Sequence, residues 1–339
     1  SFLKIAGNWM EIKSPSILKR FQDKIEFKLM DKVLFSEKAS PSNKKSWSGL
    51  ISDLALIKAS PTIHNSLIEV MKVTCDSNVI EFFNRLIALV PSVTSSTFSN
   101  LPLKPSFFGF KNEKGKHSFG FISSIQKDYS NITTETAKIG VGLGQLSTKV
   151  EPAGKVRVFA MVDMWTQVAC QSLHTYLMEL LNQIPNDGSR DHTKAFERAV
   201  QKSLKYGCCY GYDLSAATDR LPVYLQMKII GSLFGKDFSL NWRELLVGRP
   251  YLLRDDEDNL RILRYAVGQP MGAKSSWTML ALTHHMLVQY CSYMLWGSHD
   301  WEHRYEIVGD DIVIFNKELA SKYLEVMSLI GVPINLAKS

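Results

Sequence analysis

Apolar and polar residues repeat with a helical period along the N-terminal part of the chain. Residues 17–21 and 79–87 place apolar side chains three and four positions apart, which is the spacing of one face of an α-helix. Between them, residues 36–48 are rich in Ser, Lys and Pro and are predicted to form an exposed loop. Residues 91–120 carry Pro, Ser, Gly and Phe and are predicted to be irregular. This part of the chain is therefore predicted to consist of helices with polar linkers.

The pattern then changes to β-prone runs interspersed with amphipathic runs, which predicts an α+β fold. The predicted strands cover residues 155–162, 206–213, 251–254, 260–265, 305–308 and 312–315. The predicted helices lie in residues 164–205, which a Pro-Asn-Asp-Gly turn at 185–188 divides in two, and in residues 218–234, 275–295 and 317–330. In the helix at 218–234, Thr218 or Asp219 is the expected cap, Pro222 lies in the first turn and Gly235 is the stop.

Residues 305–315 have the clearest strand pattern. Two runs of Val, Ile, Tyr and Phe flank Gly309, Asp310 and Asp311. The flanking residues favour strands and Gly tolerates the positive φ of a tight turn, so a β-hairpin with two carboxylates at its tip is predicted. Adjacent Asp side chains repel each other, and a divalent metal ion is the simplest source of compensating charge. A plain polar turn would have the same short motif, so the choice between the two depends on the rest of the chain.

The apolar stretch at residues 277–296 is long enough to raise the question of a membrane span. It contains the polar residues Thr283, His284, His285, Gln289 and Ser292. Polar side chains of this number favour a buried helix of a globular domain. The 5 cysteines are odd in number and show no CxxC pair, which predicts free, buried thiols in a reducing compartment.

The net charge of +7 is unevenly distributed along the chain. Residues 1–205 hold 27 Lys and Arg against 18 Asp and Glu, a balance of +9. Residues 206–339 hold 13 against 15, a balance of −2. A basic first part and a slightly acidic second part suggest that a polyanion is bound by one and processed by the other. The solvated surface of an ordinary basic protein explains the charge equally well.

Several polar residues lie where predicted strands end or loops turn. Asp213 ends a predicted strand just before a helix, a common position for site residues. Lys155 and Arg157 lie two positions apart on one strand, so both side chains point to the same face, where they could bind a triphosphate. The loop at residues 268–276 contains Gly268 and Gly272 and precedes a long helix, so its backbone can approach a ligand closely.

These residues together fit nucleotidyl transfer. That reaction uses two divalent cations about 3.5–4 Å apart, and Asp213 and Asp310 would supply the carboxylate oxygens that Mg²⁺ prefers. Mn²⁺ can take the place of Mg²⁺. If their two loops converge, Asp219 and Ser275 could detect a ribose 2′-OH. Lys338 could protonate the departing pyrophosphate.

Four ordered blocks resemble the RNA-dependent RNA polymerases of mitoviruses, in the narnavirus–levivirus branch of viral polymerases. The blocks are residues 154–163, 213–220, 268–277 and 309–311, which are similar to motifs F, A, B and C of that family. Residues 331–339 resemble motif D. The resemblance extends over roughly residues 140–339 and depends on the order of several motifs rather than on one.

The resemblance implies a right-hand polymerase of the α+β class. Its palm would be an antiparallel sheet with flanking helices, and its fingers would be largely helical. Residues 1–139 would form an N-terminal or fingers region, residues 140–205 the fingers with motif F, and residues 206–339 the palm with finger insertions. The thumb is expected to be truncated or absent, so residues 1–339 alone are expected to polymerise poorly.

The family's functional residues transfer to matching positions of this chain. Asp213 and Asp310 would bind both Mg²⁺ ions, and Asp311 would assist them less directly. The implied nucleotide-binding residues are Lys149, Lys155, Arg157, Asp219, Ser275 and Ser276. The implied catalytic acid is Lys338, and Gly268 and Gly272 would shape the loop facing the template. Many related polymerases read the ribose with an Asn in the motif B helix, but residues 275–282 contain none.

The implied partners are a single-stranded RNA template, the nascent RNA and ribonucleoside triphosphates, without a membrane span. The family likeness also implies residence in the host mitochondrion. A reverse transcriptase shares the palm chemistry, but Asp219 and the Gly-Asp-Asp turn favour an RNA polymerase. A non-catalytic RNA-binding remnant of an integrated viral gene is a further alternative, although all the expected carboxylates are present.

Overall fold

The computed structural model describes residues 1–33, 38, 40–41, 50–90, 109–111, 117–119, 134–151, 156–254 and 260–335. Helices predominate in the N-terminal part of this region: α1 (Phe2–Gln22), α2 (Leu50–Ala59), α3 (Pro61–Thr74) and α4 (Ser77–Leu89). The side chain of Asp76 caps α4 by accepting a hydrogen bond from the Val79 backbone N–H at 3.0 Å, which satisfies one of its free amides. The predicted helical character of this part is confirmed.

Strands occur in three separate sheets. The first contains β1 (Gly109–Lys111) and β2 (His117–Phe119), and the second has the order β4 (Val156–Val162), β3 (Gly144–Val150), β6 (Tyr251–Arg254) and β7 (Leu260–Leu263). The third is antiparallel, with the order β5 (Tyr210–Asp213), β9 (Asp311–Ile314) and β8 (Tyr305–Val308). The predicted mixture of helices and strands is confirmed. The acidic run at residues 255–258 lies outside the described residues.

The remaining helices separate these strands in the chain. They are α5 (Thr134–Lys138), α6 (Met164–Gln183), α7 (His192–Tyr206), α8 (Ala217–Arg220), α9 (Val223–Phe234), α10 (Lys236–Val247), α11 (Ser276–Trp296) and α12 (Lys317–Leu329). The prediction of one helix over residues 218–234 was wrong at its start. Leu221 is extended and Pro222 caps α9, because a residue that precedes proline is sterically pushed out of the helical region. Gly235 ends α9 with a φ of +95°, as predicted.

Helix α11 is the most deeply buried long helix of the described chain. Ser276 and every residue from Thr278 to Ser292 are buried, and the helix packs against α1, α6, α9 and α12. A helix that is buried on all sides needs no amphipathic stripe, which explains its continuous apolar sequence. The prediction of a buried helix is confirmed, and no helix in the described ranges meets the length and hydropathy of a bilayer span.

The five cysteines are free thiols. Cys75, Cys170 and Cys291 are buried, and burial raises the pKa of the Cys75 thiol to about 11. Cys208 is only partly buried and Cys209 is exposed, so the prediction that all five thiols are buried was wrong. Both lie between the end of α7 and the start of β5.

A fully buried ion pair joins the second sheet to α6. Asp163 follows β4 and caps α6 by accepting a hydrogen bond from the Thr166 backbone N–H at 2.9 Å. Arg249 lies two residues before β6. Its guanidinium donates to Asp163 Oδ2 at 2.5 Å, to Thr166 Oγ1 at 2.7 Å and to the Leu143 carbonyl at 2.9 Å. Asp163 and Arg249 are both 0% exposed. The Arg249 side chain therefore connects the start of β6 to residues that border β3 and β4 and to a residue of α6.

Candidate active site

The predicted Gly-Asp-Asp hairpin is present at the end of the three-stranded sheet. Val308 pairs with Asp311, so Gly309 and Asp310 form a two-residue turn. Gly309 has a φ of +63°, a left-handed conformation that favours glycine. Asp310 and Asp311 are exposed, whereas Gly309 is buried. The hairpin therefore presents both carboxylates to solvent.

The register of the sheet brings Asp213 to this turn. Asp213 is the direct cross-strand partner of Asp311, and residues that face each other in an antiparallel pair have Cβ atoms about 4.5–5.5 Å apart on one face of the sheet. The Leu214 backbone N–H donates to the Asp310 carbonyl at 3.4 Å. Asp213 and Asp310, which are 97 positions apart in the chain, therefore lie with Asp311 at one end of the sheet.

The backbone register places three aspartates at one end of the sheet, and carboxylate oxygens are the kind of ligand that a hard cation prefers. Mg²⁺ is commonly bound through one or two carboxylates, together with substrate phosphates and waters. In the part of the chain that the structure describes, no three His, Cys, Asp or Glu side chains form a preformed metal-binding cluster. The choice of these aspartates as metal ligands therefore stays a prediction.

Asn335 contacts Asp213 and was not among the predicted site residues. Its backbone N–H donates to the Asp213 carbonyl at 2.8 Å, and its amide Nδ2 lies 3.5 Å from Asp213 Oδ2. The Ser215 backbone N–H also donates to the Pro333 carbonyl at 2.9 Å. The segment after α12 therefore lies beside the end of β5, where Leu214 and Ile334 form an isolated antiparallel bridge. No motif in the sequence indicates that Asn335 lies beside the carboxylate.

The loop at residues 268–276 lies against the segment after β5. The backbone N–H groups of Gly268 and Gln269 donate to the carbonyls of Asp219 and Thr218 at 3.0 and 2.9 Å. On the other side, the Ala160 N–H in β4 donates to the Met271 carbonyl at 2.6 Å. The predicted motif F strand and motif A helix are therefore both in backbone contact with the motif B loop, and the ribose-sensing role of these residues stays a prediction.

Gln167 in α6 holds the same loop from outside. Its Nε2 donates to the Gly272 carbonyl at 3.1 Å, and its Oε1 accepts from the Lys274 backbone N–H at 2.7 Å. One amide thus satisfies a donor and an acceptor of the loop backbone. The sequence pattern did not indicate Gln167, because it is the fourth residue of a helix and belongs to none of the recognised motifs.

Substituting Gly268 with Ala is expected to displace the loop. A Cβ at this position would lie 2.1 Å from the Thr218 carbonyl oxygen and 2.5 Å from the Asp219 carbonyl carbon. Both are backbone atoms that cannot rotate away, so we expect a loss of about 1–3 kcal/mol in the free energy of unfolding. Urea unfolding of the variant measures this loss. Gly211→Ala is the control, because no atom lies within 4 Å of its added Cβ, and an equal loss in both variants would contradict the steric account.

The three predicted ribose-sensing residues differ in exposure. Asp219 is exposed, and partial desolvation of its carboxyl raises its pKa against the opposing effect of Arg220. Ser275 and Ser276 are 1% and 2% exposed. The Ser275 hydroxyl accepts from Trp242 Nε1 at 3.0 Å, and the Ser276 hydroxyl donates to the Pro270 carbonyl at 2.8 Å. Both hydroxyls therefore hold the loop together in this conformation.

The predicted triphosphate-binding cations lie on the β3–β4 hairpin. Lys149 is the direct cross-strand partner of Arg157, so two positive side chains share one face. Glu151 pairs with Arg157, with 2.9 Å between Oε1 and Nε, and reduces their repulsion. Arg157 keeps a substantial exposed surface. Lys155 and the predicted general acid Lys338 lie outside the described residues.

Comparisons with known proteins identify a matching family and several relatives. The family model for mitovirus RNA-dependent RNA polymerase matches residues 26–339. The RNA-directed RNA polymerase of Cryphonectria parasitica mitovirus 1 is 40% identical over 201 residues, which are 58% of this chain and 24% of the relative. The chain thus matches about a quarter of that polymerase.

Two plant relatives also match. The uncharacterized mitochondrial proteins AtMg01410 and AtMg01110 of Arabidopsis thaliana are each 29% identical over 164 residues. These matches cover 46% of the chain and 76% of the first protein, and 48% of the chain and 64% of the second.

Proposed function

The chain belongs to the mitovirus RNA-dependent RNA polymerase family, and on that premise we propose that it is part of an enzyme that copies an RNA template from ribonucleoside triphosphates. The observation that supports this most strongly is the cross-strand pairing of Asp213 with Asp311 beside the Gly309–Asp310 turn. The antiparallel sheet that bears them corresponds to the palm of a right-hand polymerase. The β3–β4 hairpin and the helices around it correspond to the fingers.

Asp213 and Asp310 are the proposed ligands of two Mg²⁺ ions, and Asp311 supports them. Their oxygens are hard donors at one exposed edge of the sheet, which fits Mg²⁺ or Mn²⁺. When bound, such a pair of ions stabilises the attacking and leaving oxygens of phosphoryl transfer. The Asn335 amide beside Asp213 Oδ2 restrains the orientation of that carboxylate. Family polymerases generally use divalent metals.

The remaining predicted residues bind the nucleotide. Lys149 and Arg157, together with Lys155, offer positive charge to the triphosphate, and Arg157 can bind phosphate oxygens in a fork. Asp219 and the serines of the loop at 268–276 select ribose, with Gly268 and Gly272 allowing the close backbone approach. Movement of that loop would free the Ser275 and Ser276 hydroxyls for the sugar. Lys338 is the proposed acid for pyrophosphate departure.

RNA is the proposed macromolecular partner. The +9 balance of residues 1–205 complements a polyanionic template and product. The mitochondrial naming of the two plant relatives and the mitovirus family match support action in the host mitochondrion.

A primer-extension assay with the full-length protein tests this proposal. We expect incorporation that depends on RNA template, on Mg²⁺ or Mn²⁺, and on ribonucleotides in preference to deoxyribonucleotides. Efficient use of deoxyribonucleotides on the same template would instead indicate a reverse transcriptase. Asp219→Asn is informative in the same assay. Loss of a ribose contact should lower the rate of incorporation of ribonucleotides more than the rate of incorporation of deoxyribonucleotides.

A non-catalytic RNA-binding remnant is the second candidate. Relatives among the mitochondrial proteins of a plant show that sequences of this kind also occur outside virus polymerases. The two candidates make opposite predictions for template-dependent synthesis. RNA binding without any extension in Mg²⁺ or Mn²⁺ would favour the remnant.

A further inference from the structure

A buried histidine holds the carbonyl of the Gly-Asp-Asp turn. His284 in α11 is 0% exposed, and its Nδ1 lies 2.9 Å from the Gly309 carbonyl oxygen. Since a carbonyl only accepts, Nδ1 must carry the proton. The residue that His284 holds is the one immediately before Asp310.

Tyr323 in α12 fixes that tautomer. Its hydroxyl lies 2.7 Å from His284 Nε2, which is the unprotonated nitrogen and therefore accepts the hydroxyl proton. The rings of His284 and Tyr323 are also stacked, with centroids 5.8 Å apart and an interplanar angle of 29°. Burial lowers the pKa of His284 to about 4, so the imidazole stays neutral and keeps this donor–acceptor arrangement at physiological pH.

The same tyrosine reaches the strand that bears Asp213. Its ring stacks on Tyr212 with centroids 5.9 Å apart and an angle of 19°. Tyr212 immediately precedes Asp213 and pairs with Ile312 across the sheet. A continuous column of three rings, Tyr212, Tyr323 and His284, therefore connects the residue before Asp213 to the residue before Asp310.

The turn has little freedom on its other side. A Cβ added to Gly309 would lie 3.1 Å from Trp277 Nε1, so the indole packs closely against the turn. Losing the His284 donor would leave the buried Gly309 carbonyl without this hydrogen bond, which would destabilise the present conformation of the turn. The turn would then relax or shift relative to Asp213.

We propose that His284 and Tyr323 are positioning residues that set the spacing of Asp310 from Asp213 and thereby the affinity of the proposed site for divalent cations. Both side chains are 0% exposed, so neither is placed to contact substrate or metal. They act through the Gly309 carbonyl, as residues behind a metal ligand commonly do. The inference rests on the proposed function, because it assumes that these two aspartates bind the cations.

The chain contains a matched control on the same helix. His285, the next residue of α11, bonds through Nδ1 to the Tyr305 hydroxyl at 2.8 Å and through Nε2 to Asp187 Oδ2 at 3.0 Å. His285 and Tyr305 are 0% exposed, like His284 and Tyr323. Each pair has one tyrosine hydroxyl bonded to one histidine, but the His285 pair bonds to Asp187 instead of the Gly309 turn.

Tyr323→Phe and Tyr305→Phe in the full-length protein therefore test the proposal. Both remove one buried hydroxyl and keep the ring. Mn²⁺ binding is measured by the paramagnetic resonance signal of the free ion, and thermal unfolding reports stability. We expect Tyr323→Phe to weaken Mn²⁺ binding about tenfold and Tyr305→Phe to change it less than twofold. The unfolding temperature should fall at least as much in Tyr305→Phe, because the Tyr305 hydroxyl also accepts a hydrogen bond from Gln289 Nε2 at 3.0 Å.

Equal Mn²⁺ affinities in the two variants would overturn the proposal while leaving the proposed function intact. Asp310→Asn in the parent protein distinguishes the two failures. If that substitution leaves Mn²⁺ binding unchanged, the metal assignment itself is wrong, and the positioning role is rejected with it. The Mg²⁺ concentration for half-maximal incorporation should rise in Tyr323→Phe by the same factor as the Mn²⁺ dissociation constant.

Discussion

Replacing Asp310 with Asn is expected to lower the rate of nucleotide incorporation by the full-length protein about a thousandfold. The substitution keeps the size of the side chain and removes one negative charge from the turn between β8 and β9. Stabilisation of a developing phosphoryl charge by a bound cation contributes several kcal/mol, and a loss of about 4 kcal/mol corresponds to a factor of about a thousand in rate. Single-turnover extension of a labelled primer by one ribonucleotide measures the change.

Asp300→Asn is the control for this prediction. Asp300 is exposed in the loop after α11, only ten residues earlier in the chain, and has no proposed part in catalysis. It should leave the rate within about twofold, since surface substitutions have little effect. Incorporation by Asp310→Asn at the parental rate would show that the carboxylate is not needed.

Replacing Arg249 with Met is expected to destabilise the fold by about 3–5 kcal/mol, the usual cost of leaving one member of a buried ion pair alone. The change removes the donors to Leu143, Asp163 and Thr166. It leaves the charge of the Asp163 carboxylate, which is 0% exposed, without its cationic partner. The β3, β4 and β6 strands and the start of α6 would lose their common contact. The midpoint of urea unfolding reports the loss.

A second substitution separates the cost of the unpaired Asp163 charge from the cost of the lost Arg249 packing. Asn retains the ability to cap a helix, so Asp163→Asn in the Arg249→Met background should recover part of the lost stability. Arg243→Met removes only a surface pair with 3.7 Å between Nη1 and the Glu244 oxygen and should cost less than about 1 kcal/mol. An Arg249→Met variant as stable as Arg243→Met would contradict the structural role of the buried pair.

The parts of the fold with a local signal could be predicted from the sequence. The Gly309 turn required positive φ, and the β-branched residues around it favoured strands, so the hairpin at 305–315 followed from local chemistry alone. The buried helix at 276–296 followed from its apolar length and its internal polar residues. The start of α9 was missed because the pre-proline effect at Leu221 outweighed the helix propensity of the residues on either side.

The long-range contacts of the site had no local signal. Asn335 reaches Asp213 from 122 positions away, and His284 reaches Gly309 from 25. Neither residue type is unusual in its neighbourhood, and each acquires its role only when α11 and α12 pack against the sheet. The adjacent residues His284 and His285 form hydrogen bonds to Gly309, Tyr323, Tyr305 and Asp187. These contacts exist only in the packed structure.

Anomalous diffraction from crystals of the protein with Mn²⁺, RNA and an incoming ribonucleotide would locate the cations directly. The account predicts two Mn²⁺ peaks about 3.5–4 Å apart, each in contact with carboxylate oxygens of Asp213 and Asp310. Mn²⁺ bound to the nucleotide with neither aspartate among its ligands would contradict the account.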